Sequence, residues 1–306
     1  MNIRKPLAWA GRIVGGLLVL VVVAYGTIHL LSVRRANAAV MVPTHFASAV
    51  DLADSALIAE GARLAQVRGC VECHNANFGG KLFINEPAIG VIYAPNLTRG
   101  DGARGAEMTP EDWELAVRHG VRRDGRKLAV MPSPEFAELT DHDLAAIIAY
   151  ARSVEPVVSD PMPLPKLGPM GRALYLAGQL PAYPADDMEH RTTHEATITP
   201  EVSVEFGRYI VRSCTGCHGP NYSGGKIPGM PPTAPAAANL TPDSTGIGSW
   251  TEADFILALR EGVRPDGRKL DQQFMPVPLT KQMTDTELKA AFMYLRTVPA
   301  ARHGAR

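Results

Sequence analysis

Every cysteine in the chain sits in one of two copies of a single pattern. Cys70-Val71-Glu72-Cys73-His74 and Cys214-Thr215-Gly216-Cys217-His218 use all four. Cys-x-x-Cys-His is the attachment pattern for c-type haem. Two thiols about one helical turn apart reach the two vinyl groups of one porphyrin. The next residue then falls beneath the iron, where imidazole nitrogen is a good axial ligand. A dithiol redox pair has no need of histidine at the same place twice. A four-cysteine zinc site needs its pairs close together, whereas these start 144 residues apart. The motifs therefore imply two covalently bound haem c groups, one on Cys70 and Cys73 and one on Cys214 and Cys217, with His74 and His218 as iron ligands.

Each motif heads a stretch that recurs at nearly the same interval. Gly79-Gly80-Lys81 matches Gly224-Gly225-Lys226, and Asn96-Leu97-Thr98 matches Asn239-Leu240-Thr241. Asp124-Gly125-Arg126-Lys127-Leu128 matches Asp266-Gly267-Arg268-Lys269-Leu270. Each copy reads as three helices. The first runs into the haem motif. The second opens at Thr109-Pro110-Glu111-Asp112 or Thr251-Glu252-Ala253-Asp254 and stops at Gly120 or Gly262. The third opens with a capping box, Thr140 with Asp143 and Thr284 with Glu287. Strand signals are few, so the fold expected is all-α. Three helices in about a hundred residues make a thin core, and the porphyrin supplies the missing apolar surface.

Methionine completes the iron coordination in many haem proteins of this kind. Among eleven methionines, Met131 and Met275 stand out. Each lies 57 residues beyond its haem histidine and each is followed by Pro, which fixes the backbone beside the ligand. Met108, Met283 and Met293 have no methionine counterpart. His119 faces Glu261 in the other copy and His142 faces Thr286; both read as solvated helix residues. His190 and His194 fall between the copies with no role assigned. Arg126, Lys127, Arg268 and Lys269 suit either propionate pairing or a solvated turn. Asn96 and Asn239 lean toward capping a turn, and Trp113 and Phe255 toward core against the porphyrin edge.

The N-terminus is apolar and uncharged from Ile13 to Val33, long enough to cross the bilayer hydrocarbon as a helix. Arg4, Lys5 and Arg12 precede it and Arg34-Arg35 follow. Ala36-Asn37-Ala38 resembles a cleavage site, so processing after about Ala38 is the alternative to a retained anchor. The chain divides on this reading into an anchor or signal (1–35), a linker (36–55), a first haem domain (56–157), a Pro-rich linker (158–199) and a second haem domain (200–300). Lys and Arg number 31 against 31 Asp and Glu. That balance gives no basis for nucleic-acid binding, and the part beyond residue 50 is net negative.

Taken together, these residues resemble the di-haem, membrane-anchored class I cytochromes c. The second copy is most similar to the cytochrome c subunits of membrane-bound alcohol and gluconate dehydrogenases. Asn239-Leu240-Thr241-Pro242-Asp243, Thr245-Gly246-Ile247-Gly248-Ser249-Trp250-Thr251, Arg260-Glu261-Gly262-Val263 and Met275-Pro276 carry the likeness. The first copy keeps Asn96-Leu97-Thr98, Arg118-His119-Gly120-Val121 and Met131-Pro132 but lacks the Gly-Ile-Gly-Ser-Trp run. The resemblance implies two tandem class I cytochrome c domains behind an N-terminal transmembrane helix. They would lie on the periplasmic side of a bacterial inner membrane, crossed once. The implied task is passing single electrons from a periplasmic dehydrogenase toward quinone or a terminal oxidase. Those dehydrogenase subunits commonly hold three haem motifs where this chain has two. Two rivals share the motif count: a di-haem cytochrome c peroxidase and a di-haem subunit of a haem–copper oxidase. Matching Met-Pro loops weigh against the peroxidase, which must free one iron for peroxide.

Overall fold

The computed structural model describes residues 4–46, 51–231 and 233–305. Helix α1 (Arg4–Asn37) comes first. Its segment Trp9–Asn37 is 29 residues long, and apolar enough to cross a membrane. The first copy follows: α2 (Ser55–Val67), α3 (Cys70–His74), strands β1 (Lys81–Glu86) and β2 (Gly90–Ala94), then α4 (Pro110–His119), α5 (Ser133–Phe136) and α6 (Asp141–Ser153). Strand β3 (Lys166–Leu167) and α7 (Pro169–Leu176) lie between the copies. The second copy contains α8 (Val204–Val211), α9 (Thr215–His218), α10 (Glu252–Glu261), α11 (Val277–Thr280) and α12 (Asp285–Leu295).

The repeated residues build repeated structure. Thr109 caps α4 by accepting from Asp112 N, and the Asp112 carboxylate accepts from Thr109 N at 2.9 Å; Thr251 and Asp254 do the same for α10. Gly120 and Gly262 end these helices in the left-handed region, φ 63° and 67°, where glycine carries no Cβ penalty. In each copy the first and last helices cross, α2 on α6 and α8 on α12, through a glycine. A Cβ on Gly61 would fall 1.9 Å from Ala146 O, and one on Gly207 2.0 Å from Ala290 O. Buried side chains of both copies, among them Leu64, Phe78, Trp113 and Ile148 with Ile210, Tyr222, Leu288 and Leu295, join into one connected core.

The copies meet near their haem motifs. Arg68 Nη1 donates to Ser213 Oγ at 3.0 Å, joining residues that lie two and one positions ahead of their motifs. Arg63 donates to Glu287 at 2.8 and 3.0 Å. Tyr209 Oη donates to Asp143 Oδ2 at 2.5 Å and accepts from Thr140 N at 3.4 Å. This last contact corrects an expectation. The Thr284–Glu287 capping box is complete, but at Thr140 only half forms. A tyrosine from the other copy has inserted between the two partners.

The fold is mostly helical, as expected, with one small sheet. β1 and β2 form an antiparallel hairpin, and β3 adds to its free edge. Leu82-Phe83-Ile84 and Val91-Ile92-Tyr93 have the β-branched and aromatic content that favours this. Among the described residues, the matching stretch of the second copy makes one isolated bridge, Gly225 to Ala237. The Pro-rich linker starts extended and then forms α7, which packs on α1; a short helix at Gly171–Tyr175 is what the sequence predicts there.

Candidate functional site

In the first copy, Cys70, Cys73, His74 and Met131 line one cavity of about 1130 Å³. α3 presents the cysteines and histidine, and the Met131-Pro132 loop enters by another route. Phe78, Trp113, Val117, Phe136 and Ile147 supply apolar walls, and linker residues Pro161, Met162 and Leu164 add to them. Burial pushes the Cys70 thiol up to about 12 and Cys73 up to about 11, so neither is a thiolate at neutral pH.

His74 is set for one task. Its Nδ1 lies 2.9 Å from Pro95 O. A carbonyl only accepts, so Nδ1 carries the proton and Nε2 keeps its lone pair for a metal. Burial also lowers its pKa, which favours the neutral ring. His218 repeats the arrangement with Ala238 O at 2.7 Å.

The methionine loops repeat too. Ser133 N donates to Met131 O and Val277 N to Met275 O, both at 2.8 Å. Their anchors differ: Val130 N donates to Ala182 O of the linker at 2.9 Å, whereas Met275 N donates to Asp271 O at 2.8 Å. Val130 holds φ 60°, an outlier for a β-branched residue, directly beside Met131.

The cavity fits a large apolar group with acidic tails. Trp113 Nε1, Arg68 Nε and Arg68 Nη2 are buried donors without a hydrogen-bond partner, and both residues line the cavity. Orphaned donors of this kind are rare unless a ligand takes them. Haem, with two vinyl groups and two propionates, matches the thiols, the walls and the donors.

Other candidates resolve individually. Asn96 and Asn239 cap turns: each Oδ1 accepts from the backbone N of the threonine two residues on, at 2.9 Å, and each Nδ2 donates to a carbonyl just past the last helix of its copy. Arg126 and Arg268 pair with Asp124 and Asp266 in solvated turns. Lys127 is buried against Asp186 and the Arg35 carbonyl, tying the end of α1 to the first copy. Trp113 and Phe255 are core. His142 is exposed as expected. His119 is not solvated: it is 1% exposed, because α4 turns its last residue inward beneath the linker.

The cytochrome c family model matches residues 58–155 and 204–299, more than half of the chain. The chain belongs to the cytochrome c family. Its two cytochrome c domains are the two copies, and domains of this family bind haem c through such motifs. The chain is 31% identical to the cytochrome c subunit of a quinone alcohol dehydrogenase from Gluconobacter oxydans, over 82% of this chain and 57% of that one. It is 29% identical to the cytochrome c subunit of gluconate 2-dehydrogenase from Pantoea cypripedii, over 83% and 62%. A diheme cytochrome c-type protein of Cereibacter sphaeroides is 25% identical over 78% of this chain and 85% of its own length. The chain thus spans somewhat more than half the length of the dehydrogenase subunits it matches.

Sequence reasoning missed the linker wall of the first cavity. Pro161, Met162 and Leu164 have no counterpart in the repeat, so comparing the copies could not find them. Their one signal was the Pro-rich run itself, stiff enough to lie along a surface.

Proposed function

We propose that this chain is a membrane-tethered electron carrier with two haem c groups. One is bonded to Cys70 and Cys73 between His74 and Met131, and the other to Cys214 and Cys217 between His218 and Met275. The observation that carries this reading is the convergence of Cys70, Cys73, His74 and Met131 on one apolar cavity. Haem iron, when bound, supplies a one-electron couple. The residues around it orient and shield. Pro95 O and Ala238 O fix the two imidazole tautomers, and the apolar walls exclude water, which favours a high potential. Contacts at Arg68–Ser213 keep the two motifs side by side, so electrons can pass from one copy to the other.

α1 serves as an anchor in the bacterial inner membrane, with both domains on the periplasmic side. Its last turn supports retention: Arg35 pairs with Asp186 at 3.2 Å, and Ser32 accepts from Arg172 at 3.0 Å. Cleavage after Ala38 would remove all of these contacts. The donor in this reading is a quinone-linked dehydrogenase of alcohols or sugar acids, as the relatives' names suggest, and electrons leave toward quinone or a terminal oxidase.

Two measurements test the proposal. Met131→His and Met275→His should each halve the weak near-infrared sulfur–iron band of the oxidised protein, and together abolish it. A band at full amplitude in either variant contradicts that ligand. Purification from detergent-solubilised membranes should bring down the catalytic subunit of a dehydrogenase; recovery of oxidase subunits alone would overturn the donor assignment.

A further inference from the structure

Three histidines and a glutamate that play no part in haem binding meet at the end of α4. Glu114 and His119 come from that helix, and His190 and His194 from the linker. One carboxylate oxygen of Glu114 and one ring nitrogen each of His119 and His194 all lie within 4.8 Å of one another. Glu114 and His119 are each 1% exposed, and the His194 side chain is 5% exposed.

The hydrogen bonds leave the right atoms facing inward. His190 Nε2 lies 3.1 Å from Ala185 O, so it carries the proton, and His190 Nδ1 can only accept. His119 Nδ1, at 3.4 Å, donates to it. That leaves His119 Nε2 as a bare lone pair, and it is buried with no hydrogen-bond partner. His194 Nε2 is buried and unpartnered as well. It stands 3.9 Å from Glu114 Oε1, too far for a hydrogen bond. Glu114 Oε2 accepts from the His45 and Phe46 amides at 3.1 Å, while Oε1 accepts from Arg118 Nη1 at 3.3 Å and faces His194. Two buried ring nitrogens without a hydrogen-bond partner beside a carboxylate are costly unless a ligand takes them.

We propose that Glu114, His119 and His194 form a binding site for a divalent transition-metal ion of the zinc class. Two imidazole nitrogens and one carboxylate oxygen, with a fourth position open, suit that ion. His190 acts as the outer partner that sets the His119 tautomer. Burial lowers the pKa of both His119 and His194 to about 4, so both rings are neutral at pH 7, as ligation requires. Buried Arg118, 3.3 Å from Glu114, is offset by Asp141 at 2.8 Å. The ion would cross-link the linker to α4 ahead of the second domain. The second copy has Ile256 and Glu261 where the first has Glu114 and His119, so the site belongs to one half only.

The test uses the full-length, haem-loaded protein in detergent, stripped with a chelator and titrated with Zn²⁺ alone. One zinc per chain should bind, and His119→Ala and His194→Ala should each weaken it by about tenfold or more. His142→Ala, on the exposed face of α6, should leave binding unchanged. His194 lies in a loop, so haem absorption and helical circular dichroism should match the wild type. X-ray absorption at the zinc edge of the wild-type protein needs no variant, and should show two imidazoles and light oxygen neighbours. A wild type that takes up no zinc, undiminished binding in His194→Ala, or a sulfur-containing shell would each overturn the site.

Discussion

Arg118 and Arg260 hold the same place in the repeat, in the last turns of α4 and α10. Arg118 is fully buried, held by Leu139 O at 2.6 Å, Asp141 at 2.8 Å and Glu114 at 3.3 Å. Arg260 reaches a different carbonyl, Lys281 O, two residues short of the place that matches Leu139, at 3.0 Å and pairs with Asp285, and its side chain is 32% exposed. The difference runs through the whole molecule. Both copies cap their middle helices, cross their first and last helices and orient their haem histidines alike. The first copy is also covered by the end of α1, the Phe46 segment, the hairpin and the linker. Repetition encodes the part that holds the cofactor, and the residues that break the repeat encode attachment and cover.

The largest effect should follow from removing a haem. Replacing both Cys70 and Cys73 by Ala should leave one covalent haem per chain and melt the first copy, and the Cys214 and Cys217 pair should do the same for the second. Pyridine haemochrome content with helical circular dichroism reads both; unequal losses would break the equivalence of the two frames.

The arginines should then separate the copies. Arg118→Ala should cost about 3–5 kcal/mol, because it strands Glu114 and the Leu139 carbonyl in the interior. Arg260→Ala should cost about 1 kcal/mol or less, as exposed pairs do. Urea unfolding of the haem-loaded protein measures both, and equal losses would mean that the cover on the first copy adds nothing. Gly61→Ala and Gly207→Ala should, by contrast, behave alike, each destabilising by about 1–3 kcal/mol as the new methyl meets a carbonyl.

The smallest effect concerns Glu135, which faces Gly216 of the second haem motif where the first copy meets it. Leu279 holds the matching place in the second copy. Burial raises the Glu135 pKa from 4.5 to about 7, with Arg68 and Arg212 opposing. The folded state therefore holds this proton more tightly than the unfolded chain. Its contribution is most favourable below the unfolded value and is lost as pH rises from 4.5 toward 7. Glu135→Gln should flatten that part of the stability–pH curve; an unchanged slope would show that Glu135 stays ionised.

Much of the haem frame is legible in the amino-acid sequence. The Cys-x-x-Cys-His pairs, Thr109 and Thr251 as caps, and Gly120 and Gly262 as stops are local signals with local causes. The rest depends on partners distant in sequence. Nothing near Thr140 foretells that Tyr209 will take half of its capping box. Lys127 reads as a turn residue until Asp186 and the Arg35 carbonyl close over it. His119 reads as solvated because its neighbours in space, His190 and His194, are some seventy residues further along.

The central claim is that two equivalent frames each bond one porphyrin to the chain through thioethers. Intact mass spectrometry of the purified protein, denatured in acid, tests it most directly. The expected mass is the polypeptide plus two haems. A bare polypeptide, or one carrying a single haem, would contradict it.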